Sequence, residues 1–179
     1  YEIIYDGSQN IKDSIANVRD TAVGALVLAV IVLLVFLKDI RATLVVALAV
    51  PISIVFTFFL LTTQGVSLNL VSLMGLSLGV GSLVDNSVVV LDNIFRHMTE
   101  EREPIDAAAI NGTNEVGLAL VASTATSVCV FFPILLQQGA ARMVFKDLSL
   151  SIMFAHSTSI VVALLFVPLA SRFFLNAKR

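Results

Sequence analysis

Of the thirteen Asp and Glu residues in this chain, Asp85 alone falls inside a stretch apolar enough to cross a membrane. A charged Asp near the middle of a bilayer costs about 2.5–3.5 kcal/mol on insertion scales, and ionisable residues so placed usually mark a proton or ion path. Asn86 follows Asp85 directly. Asp92 and Asn93 repeat the pair seven residues later, on nearly the same helix faces. A residue placed like Asp85 usually faces a bundle interior and is functional. The structural alternative is a protonated Asp that donates a hydrogen bond and holds helices together. GVGSLVD also invites comparison with intramembrane aspartyl proteases, but general acid and base work there needs a second Asp on a neighbouring span. None is present, so the chain reads as no enzyme.

The approach to Asp85 is built of small residues: Gly75, Ser77, Gly79, Gly81 and Ser82. Gly75 and Gly79 form a GxxxG, which lets another helix come close, and Gly81 leaves room one turn before the carboxyl. These glycines, with Ser123, Ala125 and Ser127, read as packing surfaces for helices that this piece lacks. Pro51, Pro133 and Pro168 lie in or near span ends, where proline frees a carbonyl and kinks a helix. His156, among Ser and Thr, reads as a hydrogen-bonded packing residue before a proton relay. His97 reads as a solvated residue at the interface. No ligand cluster for a metal is visible, and the single cysteine, Cys129, excludes a disulfide framework or a CxxC site. No cofactor is expected.

The elements that must position Asp85 are membrane helices. The chain of 179 residues is 58% hydrophobic and 13% charged, with mean hydropathy +0.96, where soluble domains carry about 25% charged residues. Residues 21–37, 42–84, 116–141 and 148–171 hold no charge at all. Such runs read as spanning helices, because about 20 residues cross a 30 Å hydrocarbon core and lipid satisfies no open backbone. Five spans are expected, at about 21–37, 42–63, 69–91, 116–136 and 148–166, within a bundle covering 21–174. The fold class is an all-α polytopic membrane bundle. Residues 1–20 combine a strand-like YEIIY with a lead-in helix whose apolar positions Ile11, Ile15 and Val18 have helical spacing. Residues 96–115 form a charged connector whose Ile105–Ile110 segment reads as an interfacial helix feeding the fourth span. Residues 175–179 form a tail.

Lysine and arginine set the orientation. Lys38, Arg41, Arg96, Arg102, Arg172, Lys178 and Arg179 fall on one side of five spans, and Lys12, Arg19, Arg142 and Lys146 on the other. The richer side is the cytoplasm by the positive-inside rule, with residues 1–20 and 175–179 on opposite sides. Net charge is −2 with no basic run, which excludes an electrostatic nucleic-acid binder. The chain begins at Tyr1 without Met or a signal-peptide pattern and reads as a piece of a longer protein.

GVGSLVDNSVVVLDNIFRHM resembles the fourth transmembrane helix of resistance-nodulation-division (RND) efflux pumps of the hydrophobe/amphiphile exporter type. FLKDIRATLVVALAVPISI is similar to that family's second-to-third helix turn, and REPIDAAAINGTNEVGLAL to its connector into the fifth helix. VFFPILLQQGAARMVFKDLSLSI and ALLFVPLASRFF resemble its fifth-to-sixth region. The five spans then correspond to helices two to six of twelve, and residues 1–20 to the end of an external porter domain. The resemblance implies proton-driven export of hydrophobic or amphiphilic compounds, the proton gradient supplying energy. It implies Asp85 as proton carrier with Asn86 where the best-known drug pumps often have a second Asp. It also implies a Lys partner on the tenth helix, in the missing C-terminal half of the same protein. Further implications are a homotrimer, a periplasmic adaptor and an outer-membrane channel in a Gram-negative envelope, and residence in the bacterial inner membrane. Two other readings compete: a protein-translocation accessory or lipid transporter with the same membrane fold, and a structural bundle in which Asp85 is a packing residue.

Overall fold

The structure, a computed structural model, describes residues 7–176, apart from the side chains of residues 7–8, 36–37, 140–141, 143–144 and 176. Five helical rods span it: α1 (Gly7–Leu37), α2 (Ile40–Thr63), α3 (Leu70–Thr99), α4 (Ile105–Leu136), and a fifth made of three joined pieces. These pieces are α5 (Ala140–Val161), a π-helical turn (Val162–Phe166) and α6 (Val167–Asn176). All five are long and apolar enough to cross a membrane. The strand-like Tyr1–Tyr5 and the charged tail Lys178–Arg179 lie outside the described residues.

The helices run past the limits that composition suggests. α1 begins at Gly7, so the polar lead-in and the first apolar run are one rod of 31 residues, about 46 Å long at 1.5 Å per residue. The switch from polar to apolar residues near Thr21 changes the solvent a helix needs without changing its backbone. Likewise Ile105–Ile110 is the first turn and a half of α4 and no separate interfacial helix. Residues 142–147, which read as connector, already belong to α5.

Local chemistry sets the ends. Asp39 caps α2, its carboxylate accepting from the N–H groups of Arg41 at 2.8 Å and Ala42 at 3.3 Å. Asn69 and Ser72 cap α3 reciprocally, each side chain accepting from the other's backbone N–H at 2.9 Å. The turns before α3 and α5 pass through Gly65 (φ +66°) and Gly139 (φ +86°), a backbone region that costs glycine nothing. In the fifth rod the Val167 N–H donates to the Val162 carbonyl, five residues back. Pro168 follows at once; it has no N–H for the Leu164 carbonyl, and the wider turn accommodates its ring.

α3 is the hub, packing on α1, α2, α4 and α5. Half of the most apolar stretch of α3 and of the fifth rod is buried, against 11% for α1 and α4. Val45, Val46, Ala49 and Val50 of α2 meet Val90, Leu91 and Ile94 of α3 and Ala163 and Val167 of the fifth rod. Leu73, Leu76, Val80 and Leu83 of α3 close a second cluster with Val18 and Ala155. Gly75 and Gly79 correct one expectation: they face α5 of this same chain and await no absent helix. A Cβ on Gly75 would stand 2.6 Å from the Leu148 carbonyl oxygen, and one on Gly79 the same distance from the Ala155 Cβ. Ser123 and Ala125 do remain exposed.

Replacing Gly75 by Leu should therefore push α3 off α5. Overpacking of this kind costs about 1–3 kcal/mol or more, and the full-length protein should lose its monodisperse peak at a lower temperature in thermal-shift size-exclusion measurements. Gly81→Ala, whose added Cβ meets no atom within 4 Å, should leave that temperature unchanged.

Candidate functional site

The rotation of α3 separates Asp85 from its neighbour. Successive residues of a helix point about 100° apart, and here that angle divides two environments. Ser72, Gly75, Gly79, Asn86 and Asn93 lie on buried or half-buried faces, while Met74, Leu78, Gly81, Asp85, Val89 and Asp92 form an exposed stripe. Asp85 opens with Gly81, Val84, Val88 and Val89 onto a groove of about 440 Å³, whose opposite wall is Ala25, Leu28, Ala29 and Val32 of α1. Among the described residues no hydrogen bond or ion pair engages its carboxyl. The groove is otherwise apolar.

Asn86 belongs to the α3–α5 seam. Its Nδ2 donates to Ser159 Oγ at 3.0 Å, and Ser159 Oγ donates in turn to the Ser82 carbonyl at 2.8 Å. A hydroxyl pair, Thr57 with Thr158 at 2.6 Å, ties α2 to α5 near the same level. Asn86 thus holds the helix that presents Asp85, and its amide is committed to α5. Of the three glycines, Gly75 and Gly79 bring α5 close, and Gly81 opens onto the groove. His156 is half-buried, with its Nδ1–H donating to the Ile152 carbonyl at 3.0 Å. Asp92 is exposed.

A second constellation was not legible in the sequence. His97 is buried, 7% exposed, where a solvated interfacial residue was expected. Its Nε2 lies 2.8 Å from Glu115 Oε2, and its Nδ1 lies 3.0 Å from Glu101 Oε2 and 3.3 Å from Glu103 Oε2. Glu115 Oε2 also accepts from Arg96 Nη2 at 2.6 Å and Asn93 Nδ2 at 3.1 Å. The partners come from the end of α3, the turn after it and the second turn beyond Ile110 in α4. The signal in the sequence was the clustering of Arg96, His97, Glu101, Glu103 and Glu115 around Pro104. Helical periodicity alone did not say that Glu115 folds back on His97. Gly112 makes this possible: it packs on the α3 backbone, a Cβ there standing 3.0 Å from Ile94 Cα, and its carbonyl accepts from Asn93 Nδ2 at 2.8 Å.

The ends of the bundle alternate as five spans require. Asn69 Nδ2 donates to Asp147 Oδ2 at 2.7 Å where α3 begins. At the other end, where α4 begins, Arg172 Nε meets Asp106 Oδ1 at 2.7 Å.

Comparison with known proteins agrees with the resemblance drawn from the motifs. The family model described as AcrB/AcrD/AcrF family matches residues 1–179, the whole chain. The chain is 35% identical over 178 residues to multidrug resistance protein MdtC of Salmonella schwarzengrund, 99% of this chain and 17% of that protein. MdtC of Serratia proteamaculans is also 35% identical, over 174 residues, 97% of this chain and 17% of that protein. The chain therefore spans about a sixth of the length of these relatives. With its five apolar rods, its Gly-rich α3 and a match along its whole length, this multi-pass membrane chain belongs to the AcrB/AcrD/AcrF family of RND pumps.

Proposed function

We propose that this chain is part of the membrane domain of a proton-driven exporter of hydrophobic or amphiphilic compounds, and that Asp85 carries the proton. The observation that supports this most is the aim of Asp85: the one acidic residue deep in the bundle faces out of it, unpaired among the described residues, into an apolar groove. A packing carboxyl would be expected to donate to a neighbouring helix, as Asn86 does.

The mechanism rests on the two forms of one carboxyl. Desolvation favours the neutral acid, whereas a nearby cation favours the anion. A Lys from the absent half, as the resemblance implies, would hold the anion in the groove between α1 and α3. A proton entering from the external side neutralises the carboxylate and weakens its hold on that Lys. The helices then shift, and the external domains read the shift as one step of an export cycle. Release of the proton to the cytoplasm resets the pair. Asn86, committed to Ser159, keeps α3 fixed to α5, so the movable contact is the one at the Asp85 groove. In this reading residues 1–20 lead in from the external porter domain, 21–174 form half of the membrane domain, and 175–179 are a cytoplasmic tail. The protein resides in the inner membrane as a trimer and works with an adaptor and an outer-membrane channel.

In the full-length protein, Asp85→Asn should reduce export to the level of cells lacking the pump, while expression and trimer assembly stay at wild-type level. Asp92→Asn should keep most of the activity. Export against a gradient by Asp85→Asn at near wild-type rate would leave Asp85 as a packing residue.

Topology offers an independent check. Cysteines placed at the exposed Gln64 and Gln138 should react with an impermeant thiol reagent added outside. Native Cys129, exposed on α4 within an apolar run, should face lipid and stay unlabelled from either side. Labelling of the introduced sites only after permeabilisation would invert the orientation.

A further inference from the structure

The cluster at the end of α3 has more carboxylates than its cations balance. Glu101, Glu103 and Glu115 converge on His97, with Arg96 as the single guanidinium paired to them among the described residues. With a neutral imidazole these groups carry two uncompensated negative charges. Both ring nitrogens face carboxylate oxygens, yet a neutral imidazole has one N–H to give. Glu115 Oε2 lies 2.8 Å from Nε2 and accepts from it, which leaves the lone pair on Nδ1. Nδ1 is buried and makes no hydrogen bond, although Glu101 Oε2 and Glu103 Oε2 are only 3.0 and 3.3 Å away.

That is the disposition of ligands around a shared ion. Metal–nitrogen and metal–oxygen bonds to Zn²⁺ are about 2.0–2.2 Å, so ligand atoms subtending 90–109° at the ion stand about 2.8–3.6 Å apart. We propose that His97 Nδ1, Glu101 and Glu103 form a binding site for a divalent first-row transition cation of the Zn²⁺ class. Water completes the shell on the exposed side.

The supporting groups are in place. Arg96 Nη1 donates to Glu101 Oε1 at 3.0 Å, which turns Oε2 toward the ring. Asn111 Nδ2 lies 3.1 Å from both oxygens of Glu103. The Glu103 N–H donates to the His97 carbonyl at 3.0 Å and fixes the turn that carries both acids. Glu115, held by Arg96 and Asn93, is the carboxylate behind a metal-binding histidine, fixing its tautomer and raising its basicity. One imidazole and two carboxylates suit Zn²⁺ better than Mg²⁺, which prefers oxygen ligands and retained water. The dication balances the two excess charges and clamps the α3–α4 turn to both helices. The site lies at the end of α3, more than three turns beyond Asp85, and is independent of the export reading.

The test is Zn²⁺ binding to the full-length protein in detergent, stripped of metal and titrated against a chromophoric chelator. Glu101→Gln/Glu103→Gln should bind one equivalent per chain fewer than wild type, and the exposed neighbour Glu100→Gln the same number as wild type. Glu115→Gln should keep the equivalent with about 10–100-fold weaker affinity. Unchanged stoichiometry and affinity in the double variant would overturn the site and leave His97 as an imidazolium among ion pairs. X-ray absorption of the wild-type zinc form needs no variant to fold. Zinc loaded at one equivalent per chain should have imidazole nitrogen in its shell, and a shell of oxygen alone would equally overturn the site.

Discussion

The close seam between α3 and α5 sets the rotation of α3, and with it the direction of every polar side chain that α3 carries. In lipid no hydrophobic force draws helices together, so close packing of small residues and interhelical hydrogen bonds must do it. Gly75 and Gly79 let the α5 backbone approach until a single methyl would clash with Leu148 or Ala155. Asn86 and Ser159 add the polar tie about two turns beyond Gly79. Together they lock α3 about its axis. Because Asp85 is one residue from Asn86, that rotation aims its carboxyl about 100° away, out of the seam and toward the α1 groove. The Asp–Asn pairs at 85–86 and 92–93 thus divide their work: in each, Asp is exposed and Asn is hydrogen-bonded inward, Asn86 to Ser159 and Asn93 to Gly112 and Glu115.

Uncharged runs and their turn residues made the number and order of the spanning rods readable in the sequence. Asp39 and Asn69 are caps of familiar type. The helix limits were harder, for a physical reason. Charge density reports which solvent surrounds a helix, whereas backbone geometry continues until a capping residue, a glycine at positive φ or a proline intervenes. No proline and no glycine at positive φ falls between Lys12 and Thr21 or between Ile110 and Val116, so α1 and α4 run through both boundaries. The π turn before Pro168 had only the proline as its sign.

At the site, residue type and depth were enough to single out Asp85, since a lone carboxyl in an apolar run is costly wherever its helix turns. Its direction was not legible. The GxxxG of Gly75 and Gly79 reads equally well as a surface for an absent helix, and which helix fills it depends on α5, some seventy residues further along the chain. His97 was misread for the same reason. Next to Arg96 and Met98 it looks interfacial, and only the return of α4, with Gly112 pressed on Ile94, brings Glu115 over its ring.

The aim of Asp85 is the claim on which the rest turns, and disulfide crosslinking in the full-length protein measures it directly. In a background lacking Cys129, Asn86→Cys paired with Ser159→Cys should crosslink rapidly under mild oxidant, since the native side chains meet at 3.0 Å. Asp85→Cys paired with Ser159→Cys should remain reduced under the same conditions. Rapid crosslinking through position 85 with none through position 86 would mean that α3 is rotated, that Asp85 points into the seam, and that the groove beside α1 is not its site.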